Sequence, residues 1–393
     1  LGRLQRRRCA LRSTAWWLTA LVLVALNLRP AIASVPPLAD EISTALGLSA
    51  AATGLLTTLP VVCMGLFAPV GSLASRWLGA ERTLAAGVAL IAAGTLLRAV
   101  SGAVALYAGT ALAGIGIAVA GSLLPPLVRA RFPGRAGPVT GLYTCGLIGG
   151  AMLAASATVP LASGLHVAWP TALALWAVPA VIALLVWLPV IPAGRTPFAS
   201  ATPTGGVWRS RTAWIATFYM GGQSLLFYTA LAWLAPRYTS LGMSTTAAGL
   251  LLGLFSVTQL ISAFGLPILA HRYGRIELWI ALGVGLTIVM SVVIALAPSG
   301  APWVWAGLLG LGVGGNFSLA LTLLASLGDS PAAAAAMSGM AFFVGYLLAA
   351  AGPVLAGVLY DLTGEYRTPF LALAGAGVAT LVVGVAAGRT ATR

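Results

Sequence analysis

The 393-residue chain is 60% hydrophobic and only 7% charged, with a formal charge of +14. Soluble domains carry charges on about a quarter of their residues, so a soluble fold is excluded. A spanning helix needs ~20 mostly apolar residues, so twelve would use roughly 240 and leave no room for a large domain outside the bilayer.

A basic segment, residues 1–13, precedes helices predicted near 14 to 37, 49 to 75, 82 to 101, 103 to 129, 138 to 163 and 167 to 191. The weakly hydrophobic stretch 192–211, punctuated by proline, threonine and glycine, is expected to be a cytoplasmic linker. A second set of helices follows near 212 to 237, 244 to 270, 276 to 298, 301 to 327, 332 to 358 and 367 to 388, with 389–393 as a short cytoplasmic tail. The chain is thus expected to form a six-helix bundle over 14–191 and another over 212–388. These long runs of Leu, Ala, Val and Gly are unlike the ~10-residue alternation of an outer-membrane barrel. The Arg-rich start, the apolar run from Trp16 to Leu28 and Ala31-Ile32-Ala33 imitate a secretory signal, but Arg29 and the further spans favour a retained first helix.

All 21 basic residues are arginine, whose guanidinium stays charged even when buried. With a cytoplasmic N-terminus, seventeen of the 21 fall in cytoplasmic segments, and Arg98, Arg237 and Arg367 fall in outer ones. The positive-inside rule therefore places both termini in the cytoplasm of a multi-pass cell-membrane protein. The basic excess is a topology signal with attraction to anionic headgroups, and no nucleic-acid partner is expected. Cys9, Cys63 and Cys145 are scattered, and neither a disulfide framework nor a metal or cofactor motif follows from them. Gly114-x-Gly116 resembles part of a dinucleotide fingerprint but lies within a span with no strand before it.

The halves carry an internal copy. Leu46-Gly47-Leu48-Ser49-Ala50-Ala51-Ala52-Thr53-Gly54-Leu55-Leu56 returns 195 residues later as Leu241-Gly242-Met243-Ser244-Thr245-Thr246-Ala247-Ala248-Gly249-Leu250-Leu251, with seven of eleven positions identical. Ala74-Ser75-Arg76 matches Ala270-His271-Arg272, and Gly114-Ile115-Gly116 matches Gly310-Leu311-Gly312, both at a shift of 196. A parallel repeat of six helices is the architecture of two-bundle secondary transporters.

The stretch Gly71-Ser72-Leu73-Ala74-Ser75-Arg76-Trp77-Leu78-Gly79-Ala80-Glu81-Arg82 resembles the loop between the second and third helices of the major facilitator superfamily, with a weaker copy from Pro267 to Glu277 that includes Arg272. Asn27-Leu28-Arg29-Pro30, Leu55 to Pro60, Gly114 to Ala118, Leu123-Leu124-Pro125, Gly141-Leu142-Tyr143-Thr144, Gly222-Gln223-Ser224, and Gly345-Tyr346 with Gly352-Pro353 resemble its CynX/NimT branch. The resemblance implies an all-α membrane protein of twelve helices in two six-helix bundles, rocking to expose a central site alternately to each side. It implies a gating role for Gly71, Arg76, Gly79, Arg82 and Arg272, although the family's acidic residue is here Ser75. Named members of the branch handle cyanate or 2-nitroimidazoles.

Arg29 is the most informative single residue. It lies slightly past the middle of the first predicted span, where an arginine costs ~2.5 to 3.5 kcal/mol on insertion scales. Two roles are open to it: a clamp for a small anion, nitro group or carboxylate, or a structural arginine donating to helix carbonyls or reaching toward Asp40 or Glu41. The resemblance makes the first, fourth, seventh and tenth helices line the cavity. Asn27, Gln223, Ser224, Tyr228 and Asn316 then join Arg29 as candidate substrate-binding residues, with Tyr143 from the fifth helix. Ser224 is the repeat mate of Arg29. Tyr219, Ser318 and Thr322 are further polar groups, and Trp233 reads as an interfacial anchor.

The seven acids, Asp40, Glu41, Glu81, Glu277, Asp329, Asp361 and Glu365, all fall at helix ends or in loops. His166 falls in an outer connection and His271 in a cytoplasmic loop, so without an Asp, Glu or His inside a span, facilitated transport, anion exchange or coupling through the substrate's own proton is expected. A carrier of larger drugs is the alternative within transport, and a polytopic enzyme or sensor the alternative outside it. An enzyme needs a nucleophile, metal cluster or acid-base pair, and no such constellation occurs within the spans. The expected partners are a small-molecule substrate and the lipid bilayer, with the carrier acting as a monomer.

Overall fold

The computed structural model describes residues 2–191, 206–328 and 331–391. Most of the expected linker, 192–205, lies outside the described residues, as do Asp329 and the end of the C-terminal tail, 392–393. The first membrane-crossing stretch is built from α1 (Gly2–Leu26), a single turn α2 (Pro30–Ala33) and α3 (Ala39–Leu46), with a 3-10 turn at Pro36–Leu38 between the last two. The rest of the first bundle is α4 (Ala50–Leu78), α5 (Ala80–Leu97), α6 (Ala103–Arg131), α7 (Ala136–Gly164) and a stretch split into α8 (Trp169–Ala174) and α9 (Ala177–Trp187). The second bundle is α10 (Arg211–Thr239), α11 (Thr245–Tyr273), α12 (Ile276–Leu296), α13 (Pro302–Ser326), α14 (Pro331–Thr363) and α15 (Arg367–Ala391).

Eleven of these stretches are long and apolar enough to cross a membrane. The remaining span, α10, is interrupted by Gln223, Ser224 and tyrosines and is shielded instead: every residue from Leu226 to Pro236 is buried. The molecule is an all-α membrane protein of twelve spans in two six-helix bundles. The bundles meet where α4 packs on α14 and α7 on α11. Small residues let these backbones approach, since lipid leaves no hydrophobic drive between helices. Gly54 abuts the backbone of Pro353, Gly357 that of Ala50, and Gly249 the carbonyl of Ala155. Within the first bundle, the stripe Gly109, Ala113, Gly116 and Ala120 of α6 lies against Gly87, Ile91 and Gly94 of α5.

The sequence repeat is also a conformational repeat. Ser49 accepts a hydrogen bond from Ala52 N at 3.2 Å and starts α4, and its counterpart Ser244 accepts from Ala247 N at 3.3 Å and starts α11. Gly47 and Gly242 have φ of 62° and 88° just before these caps, and Gly79 and Gly274 have φ of 88° and 66° just after the two helices. At these four positions a side chain would be strained, which accounts for glycine in both copies. The repeat fails at the first and seventh spans: α1 breaks around Asn27 to Arg29, whereas α10 continues through Gln223 and Ser224.

Candidate functional site

The expectation of one continuous helix from 14 to 37 is overturned at the residues that matter most. Pro30 has no N–H to offer Leu26 O, so the helical hydrogen-bond ladder cannot continue there. Asn27 N and Leu28 N accordingly drop to three-residue bonds with Val24 O and Ala25 O. Leu23 O, which lacks its usual backbone donor, accepts instead from Asn27 Nδ2 at 2.8 Å, and the same amide nitrogen donates to Pro179 O of α9 at 3.0 Å. Asn27 thus holds the broken end and ties it to the sixth span. Its buried Oδ1 has no hydrogen-bond partner among the described residues.

Beyond the break, Arg29 forms the N-cap of α2, and its carbonyl accepts from Ile32 N and Ala33 N, both at 3.0 Å. The side chain crosses to the other bundle, where Nη1 donates to the hydroxyl of Tyr228 at 2.6 Å. Its Cζ stands 5.5 Å from the ring centroids of both Phe227 and Tyr228. Tyr228 donates in turn to Met64 Sδ of α4 at 3.6 Å. Tyr346 of α14 lies edge-on to Tyr228 with centroids 6.4 Å apart and stacks on Phe342 at 5.6 Å. The half-buried guanidinium is therefore set between the rings of Phe227 and Tyr228, and the thioether of Met64 holds the Tyr228 hydroxyl. No carboxylate pairs with it among the described residues; Asp40, toward which a snorkelling arginine would reach, is bonded to Thr239.

The other candidates separate into distinct places. Gln223 is buried and its Nε2 donates to Met220 O and to Ser224 Oγ, at 3.0 and 2.7 Å, so this pair is engaged along α10. Asn316 is buried on α13, where Nδ2 donates to Gly312 O at 2.6 Å and Oδ1 accepts from the Tyr219 hydroxyl at 3.0 Å. Its amide lies against Gly283 of α12, inside the second bundle and apart from Arg29. Tyr143 is half-buried near the start of α7, on the side of Arg129. Thr322 is exposed and donates to Ser318 O at 2.9 Å. Trp233, expected at the interface, is buried and donates to Pro353 O at 2.8 Å.

In the gating stretch, Gly71 is buried against Val119 and Ser122 of α6, Gly79 joins α4 to α5, and Arg76 and Arg82 are exposed. Ser75 turns its hydroxyl back to Ser72 O at 2.8 Å. In the copy, Arg272 lies over the Tyr273 ring at 5.5 Å.

Three features had no place in the sequence reading of the site. Phe227 faces Arg29, and Tyr346, Phe342 and Met64 surround its partner Tyr228; of these only the Gly345-Tyr346 pair was marked beforehand, as part of a resemblance. Arg98, counted with the outer connections, is wholly buried. Asp361 crosses the bundle interface: its carboxylate accepts from Ala50 N and Ala51 N, both at 2.8 Å, at the start of α4. Those N–H groups are unsatisfied at a helix start and carry the positive end of its dipole. Together with Thr58 donating to Ala350 O at 2.8 Å and the Asp40 to Thr239 bond, this ties the bundles at the end where Asp40 lies.

Two helix bundles meeting at a charged, aromatic-walled break define a solute carrier. The Major Facilitator Superfamily model matches residues 18–353 and 239–391, and the chain belongs to that family. It is 35% identical over 376 residues to the 2-nitroimidazole transporter of Escherichia coli (strain K12), covering 95% of each chain. It is 34% identical to the cyanate transport protein CynX of the same organism over 89% of this chain and 91% of the relative. Among solved structures, a bacterial homolog of the human lysosomal transporter Spinster matches with a TM-score of 0.78 at 15% identity, covering 96% of this chain and 97% of that one. The protein is a membrane transporter of the CynX/NimT branch.

Proposed function

We propose that the chain carries a small polar or anionic solute, cyanate-like or nitroimidazole-like, by alternating access, and that Arg29 holds it. The observation that carries this reading is the state of Arg29: a guanidinium within the first span that, among the described residues, has no carboxylate partner, is bonded to a phenol and is set against two aromatic faces. Such a group retains donors for an anion or a nitro oxygen. The aromatic walls suit a flat, compact ligand, and Tyr228 can pass the guanidinium to it by releasing one hydrogen bond. The names of the relatives point to the same chemistry.

Both termini are cytoplasmic in this proposal, following the arginine bias, and the carrier acts as a monomer in the cell membrane without a nucleic-acid partner. The bonds at Asp361 and Asp40 then close the outer side, making the present arrangement the inward-facing one. Gln223 and Ser224 shape the wall of α10, while Asn27 holds the break. Asn316 supports α13 from within its bundle, and Tyr143 lies toward the cytoplasmic mouth. Gly71, Arg76, Gly79, Arg82 and Arg272 act at the cytoplasmic loops when the bundles rock. With the acids at helix ends and in loops, transport proceeds by facilitation, exchange or co-movement of the substrate's own proton. The test is uptake of cyanate and 2-nitroimidazole into proteoliposomes. Saturable uptake that Arg29→Met removes supports the proposal, and full uptake by that variant overturns the role of Arg29.

A further inference from the structure

Arg98 caps the C-terminal end of α5 and is fully buried, yet among the described residues it makes no ion pair. Its stem passes Gly109 of α6, where an added Cβ would stand 3.1 Å from Arg98 Cγ. Its Nη1 donates to the carbonyl of Ala31 at 2.8 Å, while Nε and Nη2 have no hydrogen-bond partner among the described residues. A buried charge without a counter-charge is costly, so the sequence tolerates it only where the one bond it makes is needed.

Ala31 needs that bond because α2 ends after a single turn. In a continuing helix its carbonyl would accept from Val35 N, but Val35 N donates to Ile32 O at 3.4 Å and Ser34 N to Pro30 O at 3.0 Å. Pro36 and Pro37 follow and supply no N–H. Arg98 Nη1 therefore replaces a missing backbone donor in the turn whose N-cap is Arg29. On the other side of Arg29, Asn27 replaces a missing donor to Leu23 O. The two side chains hold the break from opposite ends, one tied to α9 and the other arriving from α5.

We infer that Arg98 is a positioning residue for transport: through the Ala31 carbonyl it fixes α2, and through α2 it aims the Arg29 guanidinium at Tyr228 and at the solute. The inference rests on the proposal that Arg29 holds the solute, but its first test does not. Arg98 belongs to one bundle and Tyr228 to the other, so substitutions at the two would be additive unless joined through Arg29.

The experiment is a double-mutant cycle on the melting temperature of the purified full-length carrier, with Arg98→Met, Tyr228→Phe and the double variant. The expected result is that Tyr228→Phe lowers the melting temperature about half as much beside Arg98→Met as alone. Additive losses would overturn the inference. If Arg98→Met does not accumulate in membranes, Arg98→Lys takes its place in the cycle, with a smaller coupling expected and additivity again contradicting it. In proteoliposomes with 2-nitroimidazole as probe, Arg98→Met is expected to raise KM about tenfold with little change in maximal rate per molecule, and Arg98→Lys by less than about threefold. Loss of maximal rate at unchanged KM would reduce Arg98 to a packing role. Should the wild type not carry 2-nitroimidazole, the substrate proposal falls while the melting cycle still decides the role of Arg98.

Discussion

Replacing Arg29 by methionine separates stability from transport. The change removes the 2.6 Å bond to Tyr228 and the contacts with two ring faces at 5.5 Å. A hydrogen bond to a charged group contributes about 1.5–3 kcal/mol, and a cation over a ring ~0.5–2 kcal/mol. Against these losses stands relief of the ~2.5–3.5 kcal/mol needed to keep an arginine within a span. The relief offsets much of the loss, so the variant is expected to insert and to be less stable than the parent by at most about 4.5 kcal/mol. Transport has no such compensation, because methionine offers no donor to an anion. Loss of one charge-assisted bond, about 1.5–3 kcal/mol, weakens solute binding roughly 10- to 150-fold. Reconstituted flux of cyanate or 2-nitroimidazole, normalised to inserted protein, reads the second effect, and melting in detergent reads the first. A variant that melts far lower but transports normally per folded molecule would refute the reasoning, since Arg29 would then be a structural staple.

Other perturbations follow from the same geometry. Asp361→Asn removes the carboxylate charge from the start of α4, and a charge at a helix end contributes about 1–2 kcal/mol in partly buried settings. Labelling of Thr57→Cys by a membrane-impermeant maleimide applied from the Asp40 side should therefore rise roughly five- to thirtyfold, with the native cysteines replaced; unchanged labelling would remove Asp361 from the closure. Gly79→Ala and Gly274→Ala should each destabilise the protein by about 1–3 kcal/mol, because both positions have positive φ, and unaltered thermal melting would count against strain there. Asn316→Ala should cost about 1–3 kcal/mol through the broken bond with Tyr219 but leave KM unchanged. A raised KM at unchanged stability would bring Asn316 back to the solute.

Helices, their order and the duplication were legible in the sequence because each rests on a local cause: an apolar run, a capping serine, a glycine with positive φ. Ser49 and Ser244, or Gly79 and Gly274, can be paired by eye. The central position of Arg29 was legible as well, since a lone arginine in an apolar run stands out against the cost of inserting it. The break beside it was only half legible. Pro30 signals a kink, but the exchange of donors at Leu23 O and Ala31 O depends on α9 and α5, which only tertiary packing brings near. Of the aromatic residues at the break, Tyr228 was a candidate and Tyr346 was marked by the resemblance, but Phe227 and Phe342 look in sequence like any residues of a buried helix. The burial of Arg98 was not legible for a related reason: it lies near the outer end of its predicted span, 82 to 101, and was counted with the outer segments, while the approach of α2 and α6 that encloses it is set by tertiary packing.

The most direct measurement is counterflow with the purified wild-type carrier in proteoliposomes, comparing cyanate, 2-nitroimidazole, a small alkylammonium cation of similar size and a bulky apolar drug. With a guanidinium that has no carboxylate partner among the described residues and is set between aromatic rings, the first two should exchange saturably and compete with each other, and the cation should be excluded. Exchange of the cation or of the bulky drug alone, with no movement of cyanate or 2-nitroimidazole, would contradict a site built around Arg29.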